Sequence, residues 1–194
     1  MFASKIKPLL TFKRCLSSLA LLSIILLNIT GVLSAQSVTQ GYNTSKTLQR
    51  GMIVGLTEDN GTMVEAISVD ELSRMMGIVV DANDSPITLS GETEKVFVAT
   101  IGRYDVLVSD QNGAINPGDY VTASSLEGIG MLATFQESDI LGRAITGFNG
   151  ADSVVTTDTL TDSDNATRSV NIGRIQMDIA VSKNPVAKSA AVTP

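Results

Sequence analysis

From residue 48 onward the apolar positions come in short runs broken every few residues by turn-formers, the signature of strands and tight turns. Residues 52–56 and 62–67 flank Asp59-Asn60-Gly61, and an Asn-Gly pair supplies the positive φ that a hairpin turn demands. Ser68, with Glu71 three residues on, predicts one short helical turn opened by a capping box, followed by a strand at 77–80. Residues 95–99 and 104–108, parted around Gly102, predict a second hairpin. Gln111-Asn112-Gly113 and Asn116-Pro117-Gly118-Asp119 make back-to-back turns. Strands at 120–122, 130–134, 142–145 and near 172–181 complete the set. No stretch past residue 36 sustains a helical period, so the expected domain is all-β.

Two stretches of this pattern read as copies of one another. Leu48, Gly51, Ile53 and Val54 answer Ile115, Gly118, Tyr120 and Val121, and Gly61 and Ala66 face Gly128 and Ala133 at the same spacing. Met75-Met76-Gly77 lines up with Ile140-Leu141-Gly142, and Asp84-Ser85-Pro86-Ile87-Thr88 with Asp152-Ser153-Val154-Val155-Thr156. Ile101-Gly102-Arg103 and Asp105-Val106-Leu107-Val108-Ser109 answer Ile172-Gly173-Arg174 and Asp178-Ile179-Ala180-Val181-Ser182. The copies span 48–109 and 115–182. A unit that short buries too little apolar surface to be comfortable alone, so the expected architecture is an internally duplicated, pseudo-two-fold barrel or sandwich around one core. Two independent beads are the runner-up.

The N-terminal 35 residues follow a different rule. Lys5, Lys7, Lys13 and Arg14 precede an uncharged run from Leu16 to Ser34 that ends in small residues around Ala35. Basic flank, apolar core and small-residue exit form the layout of a secretory signal peptide. An uncleaved membrane anchor, an N-terminal hydrophobic helix with its basic flank on the cytoplasmic side, is the competing reading. Asn28, Thr30 and Gly31 weaken the far half of the helix and favour cleavage. On both readings the rest of the chain is exported, on the extracytoplasmic side. Residues 36–47 read as a polar linker, and 183–194 as a disordered tail of Pro, Ala and Ser.

Composition narrows the chemistry. There is no histidine or tryptophan, and Cys15 in the leader is the single cysteine. That removes disulfides, zinc-thiolate sites and the imidazole-based nucleophile systems from the exported part. Every acidic residue lies at or beyond Glu58, leaving ten basic against twenty acidic side chains from residue 36. Such a field repels phosphate backbones, so no nucleic-acid partner is expected.

Three constellations remain to be weighed. Asp84-Ser85 and Asp152-Ser153, one from each copy, resemble the plan of aspartic proteases, in which two carboxylates share a proton and activate water. Pro86 and Val154 stand where that family needs glycine, and Asp-Ser capping its own turn is the ordinary explanation. Asp158, Asp162, Asp164 and Asn165 supply oxygen ligands for calcium but lack the glycine and distal Glu of a calcium loop, which leaves a solvated acidic insertion at 158–169. Arg103 with Asp105, and Arg174 with Asp178, recur in both copies and read as structural ion pairs or strand-edge charges before a ligand-binding arginine. Asn43, Asn60, Asn83 and Asn165 begin glycosylation triplets. No catalytic, cofactor-binding or metal-binding residue is assigned, and no cofactor is expected.

The run from Val106 to Ser125, with Asn112-Gly113, Ile115 and Gly118-Asp119, followed by 130–133 and Ile140-Leu141-Gly142-Arg143-Ala144, resembles a β-rich module of phage tail-fibre-like and bacterial surface proteins. The resemblance covers residues 96–146. It implies a structural or interaction role outside the cytoplasm. Some relatives carry self-cleaving chaperone domains, but no nucleophile-base pair here matches that activity. The expected function is therefore an exported, membrane-tethered, non-enzymatic β-domain at the cell envelope, with the membrane as partner through its N-terminal segment and a protein partner or a second copy through the domain. A carboxylate-dependent hydrolase and a calcium-dependent adhesive module are the alternatives.

Overall fold

The computed structural model describes residues 38–82, 84, 87–89, 96–161 and 166–187. The domain is all-β. Its strands are β1 (Val38–Tyr42), β2 (Ile53–Leu56), β3 (Val64–Ala66), β4 (Met75–Val80), β5 (Ile87–Leu89), β6 (Val96–Ser109), β7 (Tyr120–Ala123), β8 (Gly130–Leu132), β9 (Asp139–Ala144), β10 (Val154–Thr161) and β11 (Thr167–Lys183). They join one mixed sheet in the order β10-β11-β9-β7-β8-β6-β4-β2-β3, with β1 between β5 and β6. A further pairing of β11 with β6 returns the path to an earlier strand. Strands β6, β11, β9, β7 and β8 thereby form a closed ring.

Period-two alternation decides which face each strand buries. Ile53, Ile78 and Ala99 lie side by side across β2, β4 and β6 and face one core. Val54, Val79 and Val98 face the other side, against Tyr42, Leu48 and Met52. The first core also holds Val106, Val121, Leu141, Ile175, Met177 and Ile179, so both sequence copies contribute to one interior. Each fully buried Ile or Met side chain stabilises the fold by about 2 kcal/mol relative to exposure.

The first strands of the two stretches pair alike. Ile53 sits opposite Ile78 and Val54 opposite Gly77; Tyr120 sits opposite Arg143 and Val121 opposite Gly142. Both glycines permit the same close approach, since a Cβ at Gly77 would overlap the Ala99 carbonyl and one at Gly142 the Asp178 carbonyl. The last strands part company. In the place that Ala99 takes beside Ile78, Arg143 has Asp178, whereas aligning Gly102 with Gly173 would put Val170 there. Gly102 and Gly173 do lie on the neighbouring strands β6 and β11, but only Gly102 has a positive φ (124°), while Gly173 leaves room for the Phe148 ring.

Four expectations meet a different local structure. The hairpin around Gly102 is one continuous 14-residue strand, β6, because the glycine's backbone lets the strand bend while Ile101 and Arg103 stay paired with Ala180 and Asp178. The polar linker at 36–47 contains β1, whose two edges are satisfied by β5 and β6; backbone pairing, not apolar side chains, makes it a strand. The acidic insertion at 158–169 falls largely within the β10–β11 hairpin, built from β-branched threonines with no buried face to impose alternation. The tail at 183–194 begins in β11, and Asn184 is buried, its amide donating to the carbonyls of Thr134 and Glu137 at 2.6 and 2.8 Å. The helical turn at Ser68 is a 3-10 helix, Val69–Arg74, with Glu71 accepting from the Ser68 N–H at 3.1 Å. The signal peptide or N-terminal hydrophobic helix at 1–35 lies outside the described residues. Among the described residues, no helix is long and apolar enough to cross a membrane.

Candidate interaction surface

Alternation along β6 and β11 turns Tyr104, Val106, Ile175, Met177 and Ile179 inward and sends Arg103, Asp105, Arg174, Gln176 and Asp178 outward. Pairing then lays these outward residues in rows. Arg103, Asp178 and Arg143 stand abreast on β6, β11 and β9, with Asp105 beside Gln176 in a neighbouring row. Arg103 Nε donates to Asp178 Oδ1 at 3.0 Å, with both side chains 59% exposed. Arg143 turns instead over the Tyr120 ring, 5.4 Å from its centroid, and donates to the Gly118 carbonyl. Arg174 donates through Nη1 to the Arg50 carbonyl at 3.0 Å. Three guanidinium groups and two carboxylates thus share one exposed face of a strongly acidic domain, and one pair of them, Arg103 and Asp178, is in contact. Towards one end the same face turns apolar, where Leu107 and Ile172 are buried with Ile129.

Neither expected pair forms as the sequence suggested: Arg103 takes Asp178 instead of Asp105, and Arg174 bonds the Arg50 carbonyl instead of Asp178. Arg103 takes Asp178 from the other copy because the two long strands run antiparallel. Arg143 and Tyr120 were missed by sequence reasoning. Parity along β6 would have placed Arg103 outward, but only the β9–β11 pairing brings Arg143 beside it.

Asp84 and Asp152 each close their own turn. Asp84 accepts from the Asp81 N–H at 2.9 Å and pairs with Arg50 at 3.2 Å. Asp152 accepts from the Asn149 amide at 2.9 Å and returns its own N–H to Asn149 Oδ1. No hydrogen bond joins the two carboxylates among the described residues. Ser85 lies outside those residues. Ser153, at φ 59°, is the single described non-glycine residue with positive φ, set where the chain turns into β10. Asp158 sits on β10, while Asp162, Asp164 and Asn165 fall outside the described residues. Asn60 caps the β2–β3 turn by accepting from Thr62 N–H and Oγ1, and Asn43 forms a half-buried bridge with Met63. Asn83 and Asn165 lie outside.

Among the described residues, one open cleft of about 530 Å³ lies between the 3-10 helix and the β8–β9 loop and is lined by Asp70, Gln111, Asn112, Met131 and Glu137. Its most buried carboxylate, Glu137, accepts from the Thr134 N–H and hydroxyl, so it holds the loop. Beside the helix, partial burial pushes the Glu71 carboxyl up, but the Ser68 N–H and the Arg74 guanidinium outweigh it and leave the group below the usual carboxylate range. Asp139 behaves likewise: burial raises it, and the Ser138 hydroxyl and Lys183, 2.9 Å away, bring it lower overall. A second cleft, about 400 Å³, is lined by Asn116, Phe148, Asp152 and Arg174. No protein-family model matches the chain, and no curated protein matches its sequence.

Proposed function

We propose that this chain is an exported β-domain with a structural or interaction role at the cell envelope, acting by the surface it presents. In this reading residues 1–35 direct export, and the two halves descend from one doubled unit and close together as a pseudo-two-fold barrel. The matched pairings at Gly77 and Gly142 and the single shared core favour that descent. The observation that carries the functional reading is the uncovered face of β6, β11 and β9, where Arg103, Arg143 and Arg174 stand out from an acidic chain. The partner this face suits is an envelope protein, met by guanidinium and carboxylate groups that stand side by side.

Two measurements test it. Cell fractionation with N-terminal sequencing should recover the domain outside the cytoplasm; an intact Met1 form in the soluble cytosol overturns export. Replacing the three arginines together by glutamine should leave the β-sheet circular dichroism unchanged and reduce co-sedimentation with isolated envelopes. Undiminished co-sedimentation overturns the role of the face.

A further inference from the structure

Asn-Gly occurs three times in the chain, at Asn60-Gly61, Asn112-Gly113 and Asn149-Gly150. A glycine has no side chain to shield its backbone nitrogen, so that nitrogen reaches the Cγ of the asparagine before it and attacks within the molecule. Three local conditions decide how fast. Donors on Oδ1 stabilise the oxyanion that forms during attack, while the attacking nitrogen and the departing Nδ2 must both be free.

The three sites differ on each condition. Asn60 Oδ1 accepts from the Thr62 N–H at 2.9 Å and from the Thr62 hydroxyl at 2.8 Å, two donors at oxyanion-binding distance. Neither Asn60 Nδ2 nor the Gly61 N–H has a hydrogen-bond partner among the described residues, and this turn between β2 and β3 is exposed. Open space stands where a Gly61 Cβ would be. Asn112 is the opposite case. Its Nδ2 donates to the Leu132 carbonyl at 3.1 Å, and the Gly113 N–H donates to the Asp110 carbonyl at 2.9 Å. Asn149 Oδ1 does accept from the Ala151 and Asp152 N–H groups, but its Nδ2 is held by Asp152 at 2.9 Å and Gly150 packs against the Asp110 carboxylate.

We propose that Asn60 is a self-modification site, converted by its own turn to aspartate and isoaspartate ahead of the other two asparagines. The Gly61 nitrogen bonds to Asn60 Cγ, the Cγ–Nδ2 bond breaks, and ammonia leaves with the proton that the Gly61 nitrogen gives up. Water then opens the cyclic imide. Opening at the side-chain carbonyl leaves aspartate in an ordinary backbone; opening at the main-chain carbonyl leaves isoaspartate, whose backbone runs through the former side chain. In isoaspartate the carbonyl that accepts the Met63 N–H at 3.1 Å becomes a free carboxylate. Both products add a negative charge beside Glu58 and Asp59. The chemistry needs only water and does not depend on export.

Peptide mapping by mass spectrometry, on the full chain held in mild detergent at neutral pH and sampled over days, tests it. In the folded protein Asn60 is expected to convert several-fold faster than Asn112 or Asn149, and faster than it does itself in urea. Thr62→Val removes the hydroxyl donor from an exposed position. It should slow the folded-state conversion of Asn60 several-fold while leaving the rate in urea and the other two sites unchanged. Conversion of Asn60 no faster than at the other two sites, or undiminished by Thr62→Val, overturns the proposal. Faster conversion in urea than in the folded protein overturns it equally, because the turn then protects Asn60.

Discussion

The two halves of the domain finish their sheets in opposite ways. In the first, β1 lies between β5 and β6, so the long strand β6 has a neighbour on each side at its N-terminal end. In the second, β10 pairs directly with β11, and no strand lies beyond it among the described residues. The covered flank contributes Val98 and Ala99 to the core; the uncovered one contributes nothing to it from β10. An extra strand, β1, thus makes one flank part of the body. On the other flank β10 has no neighbour on its far side among the described residues.

The largest test of that comparison falls on the pairings the halves share. Gly77→Ala and Gly142→Ala each force a methyl group against a backbone carbonyl and should cost about 3 kcal/mol, read as a shifted urea midpoint. With one common core both variants unfold in a single transition. A Gly142→Ala protein that loses half its signal early and half at the unmodified midpoint would show two independent beads. Next comes Arg74, which donates to the Leu56 carbonyl and pairs with Glu65 and Glu71 in the first half only. Arg74→Ala should cost about 2 kcal/mol. Lys183→Ala, which breaks the exposed partner of Asp139, should cost under about 0.5 kcal/mol.

Acid should weaken both halves alike. Glu71 and Asp139 both sit below their unfolded values, so their stabilisation is full above the ordinary carboxylate range and is lost as pH falls through it and below. Glu71→Gln and Asp139→Asn should each flatten that loss in an acid titration followed by circular dichroism. A smaller effect of opposite sign is expected at the seam. Tyr104 Oη is buried with no hydrogen-bond partner among the described residues, so Tyr104→Phe should be neutral or stabilising by up to about 1 kcal/mol. The least is expected from Arg103→Ala, under about 0.5 kcal/mol, because its pair with Asp178 is open to solvent.

The all-β class was legible because short apolar runs such as those holding Ile53-Val54, Val79-Val80 and Phe97-Val98 are broken by turn-formers such as Asn60-Gly61. The capping pair Ser68 and Glu71 was legible for the same local reason. Gly102 was misleading: a glycine between two apolar runs reads as a reversal, and only the unbroken partner strand shows it to be a bend. β1 and β10 carried little signal, since each is held by backbone pairing and buries few apolar side chains. The outward face was half legible. Parity exposes Arg103 and Asp105, but which strand brings Asp178 or Arg143 alongside depends on register, and in the last strands register departs from the alignment of the copies.

β11 runs for 17 residues, about 56 Å at ordinary strand rise, from its pairing with β10 to the far end of the ring. A pull along it therefore travels through a single backbone and loads the hydrogen bonds to β6 and β9 in shear, many at once, instead of unzipping them one by one.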